Sequence, residues 1–252
     1  MLATTTSVGN SGLLESLLPA FERESGVRVR VHLVGSGLAL RFLEQGQADV
    51  AISHAPSTEA RFLRTNPGWW YRKLMYNDFL IVGPAADPAG VGTSGSVDEA
   101  MRRIAASGAR FASRGDESGT HVRERELWQL AGVSPAADRL VTTAQGMSAT
   151  LRVAGELAAY TLTDRATFDA VGGAFDLVPL REGDARLLNT YAVLVDPGGP
   201  NVPTRPLARQ FAEWLTDGQG RALIERFRIR GRPAFIVWPA DRPRETPDAV
   251  PY

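Results

Sequence analysis

Apolar residues in the first sixty positions recur in two alternating patterns, one with helical spacing and one with strand spacing. Leu2 to Ser7 is predicted as a short strand running into a hydroxyl-rich loop, and Leu13 to Phe21 as a helix with one apolar face. A strand at Val27 to Val34, a helix at Leu38 to Gln45 and a strand at Ala48 to Ser53 continue the same order. This repetition is typical of a doubly wound parallel sheet, which binds ligands at the carboxyl ends of its strands.

Two later apolar strands mark the expected boundaries between lobes. Tyr76 to Val82 ends at a Gly-Pro pair, and the stretch that follows is rich in Gly, Pro, Ala and Ser, as in a linker. Tyr191 to Val195 is an isolated apolar strand suited to a return crossing. The sequence therefore predicts two lobes, the first made of residues 1–83 and 192–252 and the second of residues 84–191.

Proline is expected to interrupt regular structure at two places. Pro19 lies inside the first predicted helix, where it removes a backbone donor, so we expect a kink or a break there. From Pro239 to Tyr252 the chain is proline-rich, and we expect a surface-bound or disordered tail.

The loop from Ser113 to His121 carries the most distinctive chemistry. It follows a short apolar strand, precedes a helical run, and combines hydroxyl residues, two glycines and Arg114. Glycine lets backbone N–H groups approach a ligand, and a helix N-terminus presents unpaired donors with a partial positive charge. An arginine adds a planar fork of donors, so an oxyanion site is one interpretation. The alternative is a plain N-cap, in which Ser118 or Thr120 satisfies the first turn of the helix.

Composition narrows the classes of function. The 252 residues hold 28 basic and 28 acidic side chains, and zero net charge argues against a nucleic-acid partner or an anionic membrane surface. There is no cysteine, and the three histidines are too scattered to indicate a metal site. No apolar run reaches the ~18 residues of a transmembrane helix. Met1 leads almost directly into a strand, so we expect a cytosolic protein or one whose signal peptide is absent from this chain.

Several short motifs occur in a consistent order between residue 3 and about residue 230. They are Ala3-Thr4-Thr5-Thr6-Ser7, Gly35-Ser36-Gly37, His54-Ala55, Tyr76-Asn77-Asp78-Phe79, Ser113-Arg114-Gly115-Asp116, Ser118-Gly119-Thr120-His121, Gly146-Met147 and Tyr160-Thr161-Leu162-Thr163-Asp164-Arg165. With them the chain resembles the TupA-type tungstate-binding proteins of ABC transporters, which are type II periplasmic binding proteins. Departures from the family pattern are mild, with Ser36 in place of a common Thr and Ser148 in place of a common Gly.

The resemblance implies a fold of two doubly wound α/β lobes, joined by two crossover strands and closing on a tetrahedral dianion. The strongest candidate ligand-binding residues are Thr5 in the first lobe with Arg114, Ser118 and Thr120 in the second. Further donors of the same kind are Thr6, Ser7, Ser36, Gly119 and Ser148. No cofactor is expected, and no metal other than that of the oxyanion itself. Asp116 is expected to hold Arg114 or the loop backbone and to point away from the ligand.

The resemblance also implies an extracytoplasmic solute-binding protein that captures tungstate or molybdate in an inter-lobe cleft and delivers it to an ABC permease. Such a protein would be a monomer, would bind no nucleic acid, and would meet the membrane only through the permease or an anchor outside this chain. One alternative is the oxyanion-sensing ligand domain of a cytosolic regulator, but no DNA-binding helix-turn-helix is visible. An enzyme with Asp116, Ser118 and His121 as a hydrolase triad is disfavoured, because the three are crowded into six residues.

Overall fold

The structure is a computed structural model, and it describes residues 1–198 and 205–250. These residues form two compact units. Unit 1 contains Met1–Tyr76 and Thr190–Tyr252, and unit 2 contains Asn77–Asn189. The α/β architecture agrees with the fold class predicted from the sequence.

The strands and helices follow one another along the chain in a largely alternating order. The strands are β1 (Leu2–Thr5), β2 (Val31–Val34), β3 (Val50–Ser53), β4 (Trp70–Gly83), β5 (Phe111–Ser113), β6 (Leu140–Thr142), β7 (Thr161–Asp164), β8 (Val178–Arg181), β9 (Leu188–Val195), β10 (Arg228–Ile229), β11 (Arg232–Pro233) and β12 (Ile236–Val237). The α-helices are α1 (Thr6–Asn10), α2 (Leu13–Ser25), α3 (Ser36–Glu44), α4 (Pro56–Thr65), α5 (Val97–Ser107), α6 (Gly119–Ala131), α7 (Met147–Glu156), α8 (Arg165–Val171), α9 (Arg205–Thr216) and α10 (Gln219–Arg226).

The sheet of unit 1 is parallel at one end and antiparallel at the other. β1 lies between β2 and β3, and both pairings are parallel, with Thr5 opposite Val34. β9 then joins β3 in the antiparallel sense, and β12 joins β4 in the same way. The prediction of a parallel sheet is therefore correct for the first three strands only. Because β1, β2 and β3 are parallel, the loops that follow them lie at one edge of the sheet.

Helix α2 runs through Pro19, so the break expected there as one of two possibilities is absent. Its buried face is continuous on both sides of the proline and consists of Leu13, Leu14, Leu17, Ala20 and Phe21. Phe21 packs edge-on against Phe211 and Trp214 of α9, with ring centroids 4.7 and 5.3 Å apart. Burial of this face compensates for the backbone hydrogen bond that the proline removes.

In unit 2 the far part of β4 pairs antiparallel with β7 and β8, while β5 and β6 form a parallel pair. β5 also meets the chain leading into β7, since the Ala112 N–H donates to the Tyr160 carbonyl at 2.8 Å. The core beneath these strands is built around Phe111, Leu127, Tyr160 and Leu162. Ser113 lies opposite Thr142, so the loops after β5 and β6 leave the same edge.

Two strands connect the units. The chain passes from unit 1 to unit 2 inside β4, at Tyr76 and Asn77, and returns inside β9, at Asn189 and Thr190. The sequence placed the boundaries between the lobes at 83/84 and 191/192, and these boundaries stay a prediction.

The described part of the proline-rich tail is bound to unit 1 and is not disordered. β12 extends the sheet, and Trp238 behind it is 1% exposed. The Trp238 indole N–H donates to the Pro243 carbonyl at 3.0 Å, and the backbone N–H of Lys73 donates to the Arg244 carbonyl at 2.7 Å. The tail thus covers the protein's single lysine, whose ammonium lies 5.8 Å from the centre of the Trp238 ring. Residues 251 and 252 of this predicted tail lie outside the described residues.

Candidate functional site

The loop between β5 and α6 is shaped by two residues with left-handed backbone. Gly115 has φ = 61° and Glu117 has φ = 54°. Any other side chain at Gly115 would be strained, and a Cβ there would lie 2.2 Å from a methyl carbon of Thr142. Ser118 ends the loop and caps α6, because its hydroxyl oxygen accepts from the His121 N–H at 3.3 Å. The N-cap interpretation is therefore confirmed for Ser118, and the remaining groups of the loop need a separate explanation.

Arg114 is held inside this loop and is only 2% exposed. Its Nη2 donates to Asp116 Oδ2 at 2.5 Å, while Asp116 Oδ1 accepts from the Ser118 N–H at 3.1 Å. Both carboxylate oxygens of Asp116 are thus engaged by the loop itself. The expectation that Asp116 holds Arg114 and the loop backbone is confirmed. A buried arginine with one carboxylate partner keeps donors on its other edge.

Two donors of this loop are buried without a hydrogen-bond partner among the described residues. They are Nε of Arg114 and Oγ1 of Thr120. A buried polar group without a partner costs about 1–3 kcal/mol, and a charged one costs more. Gly119 and Thr120 also occupy the first turn of α6, where backbone N–H groups have no acceptor within the helix. These two donors and the backbone N–H groups beside them belong to one short segment at a helix N-terminus, which favours an anionic ligand.

Ser148 follows the neighbouring strand at the same edge of unit 2. It is the second residue of α7, whose N-cap Gly146 provides no side-chain cap. The two loops are linked because both the backbone N–H and the hydroxyl of Thr143 donate to the Ser113 carbonyl, at 2.9 and 3.2 Å. Ser148 is half-buried.

Thr5, Thr6 and Ser7 lie where β1 ends and α1 begins in unit 1. Thr5 is buried and caps α1, its hydroxyl oxygen accepting from the Val8 N–H at 3.4 Å. Since that bond uses an oxygen lone pair, the hydroxyl proton remains a donor. Thr6 is half-buried and Ser7 is buried.

Ser36 begins α3 after β2, and it is fully buried. Its hydroxyl oxygen accepts from the backbone N–H of His54, which follows β3, at 3.2 Å. The His54 ring is stacked on Tyr191 with centroids 4.9 Å apart. The predicted unit 1 residues all lie at the carboxyl edge of the parallel strands.

The predicted site residues of unit 1 and those of unit 2 differ in charge, but both sets offer hydrogen-bond donors. Unit 1 contributes neutral hydroxyls, and unit 2 adds one permanent positive charge and the start of a longer helix. None of the predicted site residues carries a carboxylate. Across residues 1–198 and 205–250, no group of three or more His, Cys, Asp and Glu side chains is placed to hold a metal ion. The chemistry available is hydrogen bonding to an acceptor-rich anion.

Comparison with known proteins identifies the family. A model described as a PBP superfamily domain matches residues 1–219. The tungstate-binding protein TupA of Peptoclostridium acidaminophilum is 37% identical over 227 residues, which are 89% of this chain and 79% of that protein. TupA of Campylobacter jejuni is 34% identical over 92% of this chain and 88% of its own length. The chain belongs to the TupA family.

The fold of this TupA-family chain agrees with solved structures. The structure described as the tungstate ABC transporter from Geobacter sulfurreducens has a TM-score of 0.79 and 42% identity, covering 90% of this chain and 97% of that chain. TupA from Desulfovibrio alaskensis has a TM-score of 0.78 and 39% identity, covering 94% and 97%. These comparisons confirm the resemblance and the fold class predicted from the sequence.

The TupA-family relatives are named as tungstate-binding proteins and one solved structure as a tungstate ABC transporter, so the hydrolase interpretation is set aside. The geometry agrees with this. The Ser118 oxygen accepts from the backbone of His121, the His121 Nδ1 accepts from the Glu117 N–H at 3.0 Å, and Asp116 binds Arg114. Burial and the nearby Arg125 lower the pKa of His121. The three groups of the supposed triad are thus each used in shaping the loop.

Glu124 is a residue of this TupA-family loop that the sequence interpretation missed. It lies on α6, is 4% exposed, and its carboxylate is hydrogen-bonded by the Ser113 hydroxyl and the Arg114 N–H. Burial is the main reason that its pKa rises to about 7. A signal was present in the sequence, since Thr120, Glu124 and Leu127 share the spacing of the buried face of a helix.

Proposed function

We propose that this protein is the solute-binding component of an ABC transporter, and that it captures tungstate or molybdate and delivers it to a permease. The observation that carries the proposal is the pair of unpartnered donors, Arg114 Nε and Thr120 Oγ1, buried at the N-terminus of α6. The family membership given above supports the same class of ligand, because the named relatives bind tungstate.

A tetrahedral dianion suits these donors for a simple reason. Its four oxygens all accept hydrogen bonds, and burying them costs several kcal/mol unless each oxygen finds a donor. Arg114 supplies half of the opposing charge and can donate to two oxygens, and the start of α6 adds partial positive charge. The hydroxyls of Ser118 and Thr120 and the N–H of Gly119 are proposed to complete the contribution of unit 2. Ser148 is retained as a further donor.

Unit 1 is proposed to contribute neutral donors to the same anion. Thr5 and Ser36 each accept a backbone hydrogen bond, so their hydroxyl protons are left to point elsewhere. Thr6 and Ser7 are proposed to donate as well. Because the donors of unit 1 are neutral, the positive charge of the site stays smaller than the negative charge of the ligand. Release to a permease is easier when the anion is not overcompensated.

Proteins of this class work outside the cytoplasmic membrane, and we place the protein there. The alternative of a regulator's sensing domain has no observation of its own in its favour. We propose that the protein acts as a monomer and reaches the membrane through its permease or through an anchor outside this chain. Within the described residues, no helix is both long and apolar enough to cross a bilayer.

Calorimetric titration with tungstate, molybdate, sulfate and phosphate under one set of conditions tests the proposal. We expect tight binding of tungstate or molybdate, weaker binding of sulfate, and the weakest binding of phosphate. A protein that binds none of the four, or that prefers phosphate, would contradict it.

A further inference from the structure

Glu124 occupies a position on α6 where an apolar residue would be expected. Its neighbours on the buried face include Thr120, one turn before it, and Leu127, in the turn after it. The carboxylate faces three hydrogen-bond donors, the side chains of Ser113 and Trp128 and the backbone N–H of Arg114. It therefore lies next to the backbone of the residue whose guanidinium is proposed to bind the anion.

The charged groups around Glu124 come mainly from the loop and from α6 itself. Asp116 faces it with the same charge, although both Asp116 oxygens are bound to Arg114 and Ser118. On α6, His121 lies one turn before Glu124 and the exposed Arg125 directly follows it.

The residues of the strands and of the helix packed against α6 have little effect on the charge around Glu124. β5 and β6 contribute the uncharged Ser113 and Thr142 to the same cavity. On α5, Glu99 pairs with Arg103 and Asp98 pairs with Arg186, while Arg102 is exposed to solvent. Desolvation is thus the largest influence on Glu124, and Asp116 adds to it, so that the pKa of the carboxyl is about 7.

Glu124 also has a route for exchanging its proton. It lines a cavity of about 650 Å³, together with Ser113, Gly115, His121 and Thr142. A carboxyl at such a cavity can take a proton from the buffer without opening the core. The loop therefore combines a proposed anion site with a carboxyl that can change its charge close by.

We propose that Glu124 is a positioning residue that takes up one proton from solvent when a dianion binds to the loop. This inference rests on the proposed function, because it concerns the same site. The proton adds to the carboxylate to form the neutral carboxylic acid, and no other bond changes. The neutral acid keeps its carbonyl oxygen as an acceptor for the Arg114 N–H, so the loop retains its shape while a negative charge next to the ligand is removed.

The sign of the pH dependence follows from like-charge repulsion. A nearby dianion disfavours the ionised carboxylate, so the pKa of Glu124 is higher in the complex than in the free protein. The complex then holds more protons than the free protein from about pH 7 upward, and affinity falls as the pH rises through that range. Well below pH 7 the carboxyl is neutral in both states and affinity is level.

Calorimetric titration with tungstate at about pH 6.5 and about pH 8.5, in buffers of different ionisation enthalpy, measures both affinity and proton uptake. For the unmodified protein we expect affinity about fivefold to tenfold weaker at the higher pH, with uptake of a fraction of one proton per anion. Glu124→Gln imitates the neutral acid. It is expected to bind within about threefold of the unmodified protein at the lower pH and to lose the pH dependence.

Two controls separate Glu124 from its neighbours. Glu126→Gln removes a carboxylate that pairs with Arg123 on the same helix, and it should keep the original pH profile. His121→Asn should keep it too, because burial and Arg125 lower the pKa of His121 and its Nδ1 already accepts from the Glu117 N–H.

Two results would overturn the inference: no proton uptake by the unmodified protein, or an unchanged pH slope in Glu124→Gln. The first needs no variant, so it decides the question even if the substitution prevents folding. Absence of tungstate binding at either pH would instead refute the proposed function, and the two failures are thereby distinguished.

Discussion

The predicted donors of unit 1 and those of unit 2 are built differently. In unit 1, Thr5 and Ser36 already hold backbone N–H groups in place, so each hydroxyl also supports the fold. In unit 2, Ser118 caps α6 and Asp116 anchors Arg114, while Arg114 Nε and Thr120 Oγ1 are left buried without a partner. In unit 2, some residues support the loop and other residues are the unpartnered donors. In unit 1, the same hydroxyl both supports the fold and is proposed to donate to the ligand.

This difference indicates which unit is destabilised in the free protein by a binding site that is formed before the ligand arrives. Unpartnered buried donors destabilise the free protein by about 1–3 kcal/mol each, and a ligand that satisfies them recovers that energy on binding. Most of the binding energy should therefore depend on unit 2. Substitutions in unit 1 should affect stability and affinity together, whereas those at the unpartnered donors of unit 2 should separate the two quantities.

The largest effect is expected at Arg114. Arg114→Ala removes the only charge among the proposed ligand-binding residues, and affinity for tungstate should fall by about 2–5 kcal/mol, roughly thirtyfold or more. Arg114→Lys should recover only part, because the planar fork of donors is lost. Titration calorimetry measures both. Arg123→Ala, which removes a half-buried arginine from α6, the helix that follows the loop, is the matched control and should bind normally.

A second test changes the ligand instead of the protein. Phosphate carries a proton near neutral pH that needs an acceptor, and both Asp116 oxygens are already engaged. An unpaired buried proton should weaken phosphate relative to tungstate by about 3 kcal/mol, on the order of a hundredfold. Competition against the tungstate-loaded protein between about pH 6 and pH 8 measures this. Displacement by phosphate at comparable concentration would mean that a carboxylate faces the ligand.

Thr120→Val gives the sharpest contrast between the units, because two effects of opposite sign are expected. Valine has nearly the same shape, so loss of the hydroxyl should weaken tungstate binding by about 1.5–3 kcal/mol. The free protein should be at least as stable as before, since an unpartnered buried hydroxyl has been removed. Thermal unfolding without ligand, paired with titration, checks both. Thr161→Val is the control, because its hydroxyl donates to the Ala112 carbonyl and its loss should lower stability only.

The smallest effects are expected in unit 1. Thr5→Val and Ser36→Ala should each weaken tungstate binding by about 1 kcal/mol and also lower the unfolding temperature, because each hydroxyl holds a backbone N–H. Ser25→Ala loses a hydroxyl bonded to the Phe21 carbonyl at the end of α2 and should lower stability alone. If Thr5→Val and Ser36→Ala left stability unchanged, the contrast between the units would not hold.

Much of the fold was predictable because short apolar runs indicate the order of strands, loops and helices in the first sixty residues. Thr5 and Ser36 could be placed at one sheet edge, since parallel strands bring their following loops together. Local sequence patterns predicted the structure less well where tertiary packing determines it. Pro19 is held within α2 by a buried face, and Trp238 is buried although it directly precedes the predicted tail.

The site was predictable by residue type but not by role. Ser118 and Thr120 look equivalent in the sequence, yet Ser118 caps the helix and Thr120 is left unpartnered. Which of the two does so depends on the left-handed backbone at Gly115 and Glu117, and the sequence pattern does not specify those angles. Glu124 was missed, although its spacing from Thr120 and Leu127 places it on the buried face of α6.

The central claim is that the unpartnered donors of the β5–α6 loop bind the oxyanion. Anomalous diffraction from crystals grown with tungstate tests it most directly, since the tungsten atom gives its own position. We expect one tungsten peak with an oxyanion oxygen within about 3.2 Å of Arg114 Nε and another within that distance of Thr120 Oγ1. A fully occupied tungsten peak elsewhere, with both of these donors still unpartnered, would contradict the account.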